Sequence, residues 1–156
     1  MNSLNKTFLP KENSNKRNWF IIDCKGQKLG RLSTIISTLL KGKIKSHYSP
    51  SIDNGDYVIL INANSISINT SSKHYIVNHP GRPGHSLKIK KVSECLPKFT
   101  IERAVKGMLA ETEKKRLMRR LKIYTEQTHP HQAQNPIELD ILNLYSNLSV
   151  GELNTF

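Results

Sequence analysis

The chain has 156 residues, 37% of them hydrophobic, enough for one domain whose core needs no disulfide staples. No apolar run approaches the roughly 18 residues of a membrane-crossing helix, so a helical membrane span is excluded. The 24 Lys and Arg against 12 Asp and Glu leave a net charge of +12.

That charge is unevenly placed. Residues 137–156 contain Glu138, Asp140 and Glu152 and no Lys or Arg, a net of −3, so residues 1–136 carry a net of +15. A surplus of that size favours a polyanionic partner through phosphate neutralisation and counterion release, with an undedicated basic surface as the alternative. Cys24 and Cys95 lie far apart and in no Cys-x-x-Cys spacing, as expected of a reducing compartment. The first residues have no apolar segment of a secretory signal and no Arg-rich amphipathic pattern of an organellar transit peptide.

Residues 1–17 are polar and Asn-rich and read as a flexible arm. Trp19–Asp23 is a short apolar run, a buried strand, followed by a turn at 24–27. Leu29, Leu32, Ile35, Ile36, Leu39 and Leu40 then make a helical stripe stopped at Gly42. Strand, turn and helix are the first half of a βαβ unit. The basic loop that follows holds Lys41, Lys43, Lys45, His47 and Tyr48. Cations there complement the helix dipole, but those beyond the last turn read as phosphate and stacking groups. Asp53, Asn54, Gly55 and Asp56 form a turn that launches a strand over 57–62, apolar on both faces as in a central parallel strand.

Residues 66–77 suggest a short helix or strand and then an edge strand. The loop 79–85, His-Pro-Gly-Arg-Pro-Gly-His, places Arg82 and His85 on a stiff backbone, and Lys88, Lys90 and Lys91 extend its charge. A segment at 93–99 is broken by Pro97. Thr100 stands at an N-cap position before the stripe Ile101, Ala104, Val105, Met108, Leu109. A basic helix from about Thr112 carries Lys114, Lys115, Arg116, Arg119, Arg120 and Lys122, and a last strand is expected at 121–124. Residues 128–136 form a loop containing His129, Pro130 and His131; residues 137–156 read as an acidic tail. The domain plan is therefore an arm at 1–17, one body at 18–136 and the tail.

The chain holds little that resembles an active site. Gly42-Lys43 is followed by Ile44 and lacks the upstream glycine of a nucleotide-binding loop. Gly26 and Gly30 do not make a dinucleotide fingerprint, and Asp53 and Asp56 supply too few oxygens for a calcium loop. His129 and His131, with His79 or His85, could in principle face one metal, but no carboxylate or thiolate is placed beside them. No nucleophile motif appears. Neither a catalytic function nor a cofactor or metal is expected. By contrast, phosphate-binding cations, aromatic groups and close-approach loops recur in three segments, 41–48, 82–91 and 114–131, without any motif that reads DNA in a groove. That arrangement suits a folded RNA held at several points.

The ordered set Gly30-Arg31-Leu32, Gly42-Lys43, Tyr48-x-Pro50, Gly55-Asp56-Tyr57-Val58-Ile59, Asn62-Ala63 and His79-x-Gly81-x-Pro83-Gly84 continues through Ala104-Val105-x-Gly107-Met108-Leu109 and Leu121-Lys122-x-Tyr124. It ends with His129-Pro130-His131-x-Ala133-Gln134-x-Pro136. Together these resemble the large ribosomal subunit protein L-thirteen family in its bacterial and plastid form, over residues 19–136. The resemblance implies a three-layer α/β/α sandwich on a small, mainly parallel sheet of about four strands. It also implies a non-enzymatic constituent of the large subunit that binds large-subunit rRNA early in assembly beside neighbouring ribosomal proteins. A free regulatory RNA- or protein-binding module outside the ribosome is the alternative. No membrane and no small-molecule substrate are expected.

Arg31 and Gln134 join the segments above as RNA-facing candidates. Two departures stand out. Ala110 replaces the family's usual Pro, and Glu111-Thr112-Glu113 replaces a Gly-containing turn, which suggests that the two helices run more continuously. The leader from Asn5 to Pro10 and the Asn-, Ile-, Ser- and Lys-rich composition point to a plastid ribosome in the chloroplast stroma, with a bacterial cytoplasm as the alternative.

Overall fold

The computed structural model describes residues 17–68, 73–77, 81, 87–91 and 95–141. Strand β1 (Trp19–Asp23) leads into helix α1 (Leu29–Lys41), then β2 (Tyr57–Ile61) and a 3-10 turn (Ala63–Ser65). Strands β3 (Lys73–Val77) and β4 (Leu87–Lys91) follow, then α2 (Pro97–Met108), α3 (Glu111–Met118), β5 (Leu121–Ile123), a second 3-10 turn (Gln132–Gln134) and β6 (Ile137–Glu138).

The main sheet has the order β5-β2-β1-β6 and every pairing in it is parallel. Register places Phe20 beside Val58 and Ile22 beside Leu60, with Leu121 and Ile123 beside Val58 and Leu60 on the other flank. Because side chains alternate along a strand, these residues share one face. They form a single core with Leu32, Ile36 and Leu40 of α1, Ile101 and Val105 of α2, and Leu117 of α3. Both crossovers, β1 to β2 and β2 to β5, step the same way across the sheet, so right-handedness puts all three helices on that face. The return from β5 to β6 steps the opposite way and crosses the other face, where Trp19, Ile21, Tyr57 and Ile59 point. The result is an α/β sandwich on a four-stranded parallel sheet, as expected, but all three helices lie in one layer. A loop bearing a 3-10 turn stands where the second helical layer of an α/β/α sandwich was expected.

Several local expectations change. The edge strand near 73–77 does not join the main sheet; it pairs antiparallel with β4 in a separate two-stranded sheet. Helix α2 starts at Pro97 rather than after Thr100, because proline in the first turn already has the helical φ and needs no hydrogen-bond acceptor. Thr100 lies buried inside the helix and its hydroxyl donates to the Leu96 carbonyl at 3.3 Å. Met108 turns outward, 40% exposed, while Leu109 stays buried.

Helices α2 and α3 are not continuous either. Leu109 (φ −98°, ψ 146°) and Ala110 (φ −63°, ψ 141°) are extended, and the Ala110 carbonyl accepts from the amides of Glu113 and Lys114. Glu111 and Glu113 fall in the first turn of the new helix, where the dipole favours acids. Residues 137–141, read as tail, instead supply β6 and the buried Ile141. The arm at 1–16, the loop at 79–85 apart from Gly81, and residues 142–156 lie outside the described residues.

Candidate nucleic-acid interface

The loop between α1 and β2 is tied tightly to the end of α1. Gly42 closes the helix in the left-handed conformation (φ 72°), and its amide donates to the Leu39 carbonyl. A Cβ on Gly55 would lie 1.8 Å from the Leu40 carbonyl oxygen, so this crossing admits only glycine. Asn54 is fully buried and donates to the His47 carbonyl at 2.9 Å, which holds the loop tip. Asp56 accepts from the Asn18 amide at 2.9 Å and from Lys45 Nζ at 2.6 Å.

Asp53 is the electrostatic node. Arg120 donates from both terminal nitrogens to its two oxygens, with Nη1–Oδ1 at 2.7 Å, and Nη1 also reaches the Gly55 carbonyl at 3.3 Å. Arg116 Nε lies 3.3 Å from Asp53 and Arg17 Nη2 lies 3.7 Å from it. Burial alone would push the Asp53 carboxyl up. The Arg120 hydrogen bonds and charge, then the charge of Arg116 and the Gly55 amide, outweigh that and hold it below the usual carboxylate range. Cys24, by contrast, is pushed up to about 12 by burial and by nearby Asp23, an inert core thiol.

This geometry sorts the candidate residues. Arg120, expected among the phosphate-binding cations, is only 5% exposed and is committed to Asp53. The correction has a simple cause: Arg120 falls three residues after buried Leu117 and so lies on the core side of the chain. Lys45 is likewise drawn inward by Asp56, and Lys41 Nζ donates to the Met108 carbonyl at 3.2 Å. Lys43 and His47 are exposed, as is Tyr48 at 38%. On α3, Lys115 and Arg119 are exposed, Arg116 is 54% exposed, and Lys114 pairs with Glu111 at 2.5 Å.

The fold brings the two basic segments together. Lys41, Tyr48, Asp53 and Arg116 line one small cleft, while Lys106, Lys114, Lys115 and Arg119 share an open groove with Glu111 and Met118. Lys106 at the end of α2 was not singled out from the sequence; it stands at helical spacing after Glu102, with which it pairs at 3.6 Å. Arg31 is exposed at the far end of α1 from Lys41 and does not join this surface. Lys122 is half-buried in β5. Lys88 lies on β4, and Arg82 and His85 lie outside the described residues.

On the sheet's other face, Trp19 and Tyr57 stack with ring centroids 4.2 Å apart. His131 lies 5.2 Å from the Trp19 ring, and its Nε2 is 2.8 Å from the Tyr124 hydroxyl. The His131 amide donates to His129 Nδ1 at 3.2 Å. The two histidines thus organise their own loop. Among the described residues no group of three or more His, Cys, Asp or Glu side chains is placed to hold a metal.

Fold and site together define a small basic α/β sandwich protein distinguished by surface charge. The model of the family "Ribosomal protein L13" matches residues 17–130. The chain is 50% identical over 138 residues to the large ribosomal subunit protein uL13c of Trieres chinensis, covering 88% of this chain and 98% of that protein. It is 45% identical over 142 residues to uL13 of Stutzerimonas stutzeri (87% and 99%) and 40% identical over 143 residues to uL13 of Trichormus variabilis (88% and 95%). The chain belongs to the ribosomal protein L13 family.

Proposed function

We propose that the protein is a structural, non-catalytic constituent of the large ribosomal subunit that binds large-subunit rRNA and supports early assembly. The observation that carries this is the convergence of α3 and the loop after α1, which gathers Lys41, Tyr48, Lys106, Lys114, Lys115, Arg116 and Arg119 around one helix, with Lys43 and His47 exposed on the same loop. Solvated cations suit backbone phosphates, and the exposed Tyr48 ring suits an unpaired base. Arg120 serves this surface indirectly, by bracing α3 against the loop through Asp53. The body at 18–136 carries the RNA contacts, and neighbouring ribosomal proteins meet the acidic tail. Relatives named uL13c in Trieres chinensis and uL13 in Trichormus variabilis and Stutzerimonas stutzeri fit a plastid ribosome or a bacterial one, of which the plastid is preferred.

Titration of the protein with a large-subunit rRNA fragment at increasing salt tests the reading. Four to six phosphate contacts give a slope of about −3 to −5 in log affinity against log salt. A flat profile would remove the phosphate-clamp mechanism. Gradient sedimentation then separates a ribosomal constituent, which travels almost wholly with large subunits, from a free regulatory module.

A further inference from the structure

The connection between β5 and β6 carries no Lys or Arg, and after Glu126 at its start residues 127–137 contain no formally charged side chain at all. It is nonetheless held in place at both ends and in the middle. His131 is fixed by Tyr124 and Trp19, the amides of Gln134 and Asn135 close the 3-10 turn on the carbonyls of His131 and Gln132, and β6 pairs with β1. Asn135 sits in the left-handed region at φ 46°, which asparagine adopts more readily than other non-glycine residues and which here ends the 3-10 turn. The tip, Gln132 to Asn135, is exposed. Among the described residues the side chains of Gln132, Gln134 and Asn135 take no hydrogen bond.

A segment without cations displaces no counterions and adds nothing to phosphate affinity. A primary amide does something else: it presents two donors and a carbonyl acceptor in one plane, the complement of a base edge or a ribose hydroxyl. Between His131 and Pro136 the loop offers no large apolar side chain of the kind that usually anchors a protein partner; the adjacent exposed Ile137 stands on β6, past the tip. We propose that Gln132, Gln134 and Asn135 recognise base edges or 2′-hydroxyls of unpaired rRNA. The protein then holds RNA in two chemically different ways, by charge on the helix face and by uncharged hydrogen bonds on the opposite face. This rests on the rRNA-binding reading above.

The test uses the full chain and a large-subunit rRNA fragment, with affinity measured across a salt series. Replacing Gln132 and Gln134 by Ala and Asn135 by Gly, which keeps the left-handed backbone at 135, is expected to weaken binding on the order of tenfold or more at every salt concentration, leaving the slope unchanged. Lys115→Gln with Arg119→Gln is expected to reduce the slope by about 0.7 to 0.9 per lost phosphate contact. Reagents that modify base edges should reach nucleotides in the triple variant's complex that the wild type protects, with backbone cleavage patterns unaltered. Coincident melting curves confirm that the exposed substitutions leave the fold intact. Unchanged affinity of the triple variant, or a changed slope, overturns the proposal. Loss of incorporation into particles at unchanged RNA affinity also overturns it, by assigning the loop to a protein partner. If the wild type itself binds without salt dependence, the failure lies in the rRNA-binding reading.

Discussion

Asp53 joins three parts of the chain: the loop before β2, the end of α3 through Arg116 and Arg120, and the segment before β1 through Arg17. Of these pairs only Arg120–Asp53 is buried on both sides, so the pairs differ greatly in weight. Asp53→Asn leaves the Arg120 guanidinium buried with no carboxylate hydrogen-bonded to it and only the weaker pull of Asp56, and is expected to cost about 3 kcal/mol in urea unfolding. Arg116→Ala, at a half-exposed pair, should cost less than about 1 kcal/mol. The acid limb follows from the same group. Asp53 titrates below its unfolded value of about 4, so its contribution is complete above that pH and fades as pH falls through the folded value. The melting temperature of the wild type should therefore fall more steeply in acid than that of Asp53→Asn; parallel profiles would deny Asp53 this role. From sequence, Asp53 was legible only as a turn residue, which it also is, accepting from the Gly55 amide at 3.4 Å. Its partner lies 67 residues away, in a run of cations where only the spacing from Leu117 set Arg120 apart.

The elements with long apolar stripes were readable because one periodicity dominates each: β1, β2 and α1 fall close to where the pattern puts them. The break between α2 and α3 was legible only in part: the apolar stripe ends at Leu109 and a new helix was expected from about Thr112. The break itself rests on the backbone of Leu109 and Ala110 and not on any breaker residue, so the Ala110 departure suggested more continuity than there is. Ala110 already has the φ of proline, and Leu109 has the extended conformation that a residue preceding proline prefers. Ala110→Pro is thus expected to be neutral or stabilising by up to about 1 kcal/mol, read as an upward shift in urea midpoint. A loss of stability would mean that the two helices need Ala110 as a flexible joint. Strand β6 did leave a signal, the alternation Ile137, Leu139, Ile141 with Glu138 and Asp140 between, but the acidic composition of the segment concealed it. Ile141 is 4% exposed. Ile141→Ala should cost about 2 to 4 kcal/mol if the segment is part of the fold, against almost nothing for a detached tail.

At the scale of the whole molecule, charge and core are separated by design of the sheet. The helical layer carries the cations and faces one way, and the cation-free loop crosses the other face. Charge reversal at Lys115 and Arg119 should lower incorporation into large-subunit particles while the melting temperature stays within a few degrees of wild type. Normal incorporation would exclude these two residues from assembly. Composition alone foretold that such a surface exists, because the surplus is so large. It could not foretell which cations reach solvent, since composition treats Lys45 and Arg120 no differently from Lys43 and Arg119.

The pairing of Phe20 with Ile137 has a kinetic meaning. The outer edge of β1 is made near the start of synthesis and stays without its partner until nearly the whole body has been made. Such a long-range closure is slow, and an open strand edge is prone to wrong pairing in the meantime. The amide loop lies between β5 and β6, so it takes shape only when that closure happens. The helical face can form earlier. On the two-mode reading proposed above, a nascent or damaged chain would offer charge to RNA without the loop, and only a chain with β6 in place would present both.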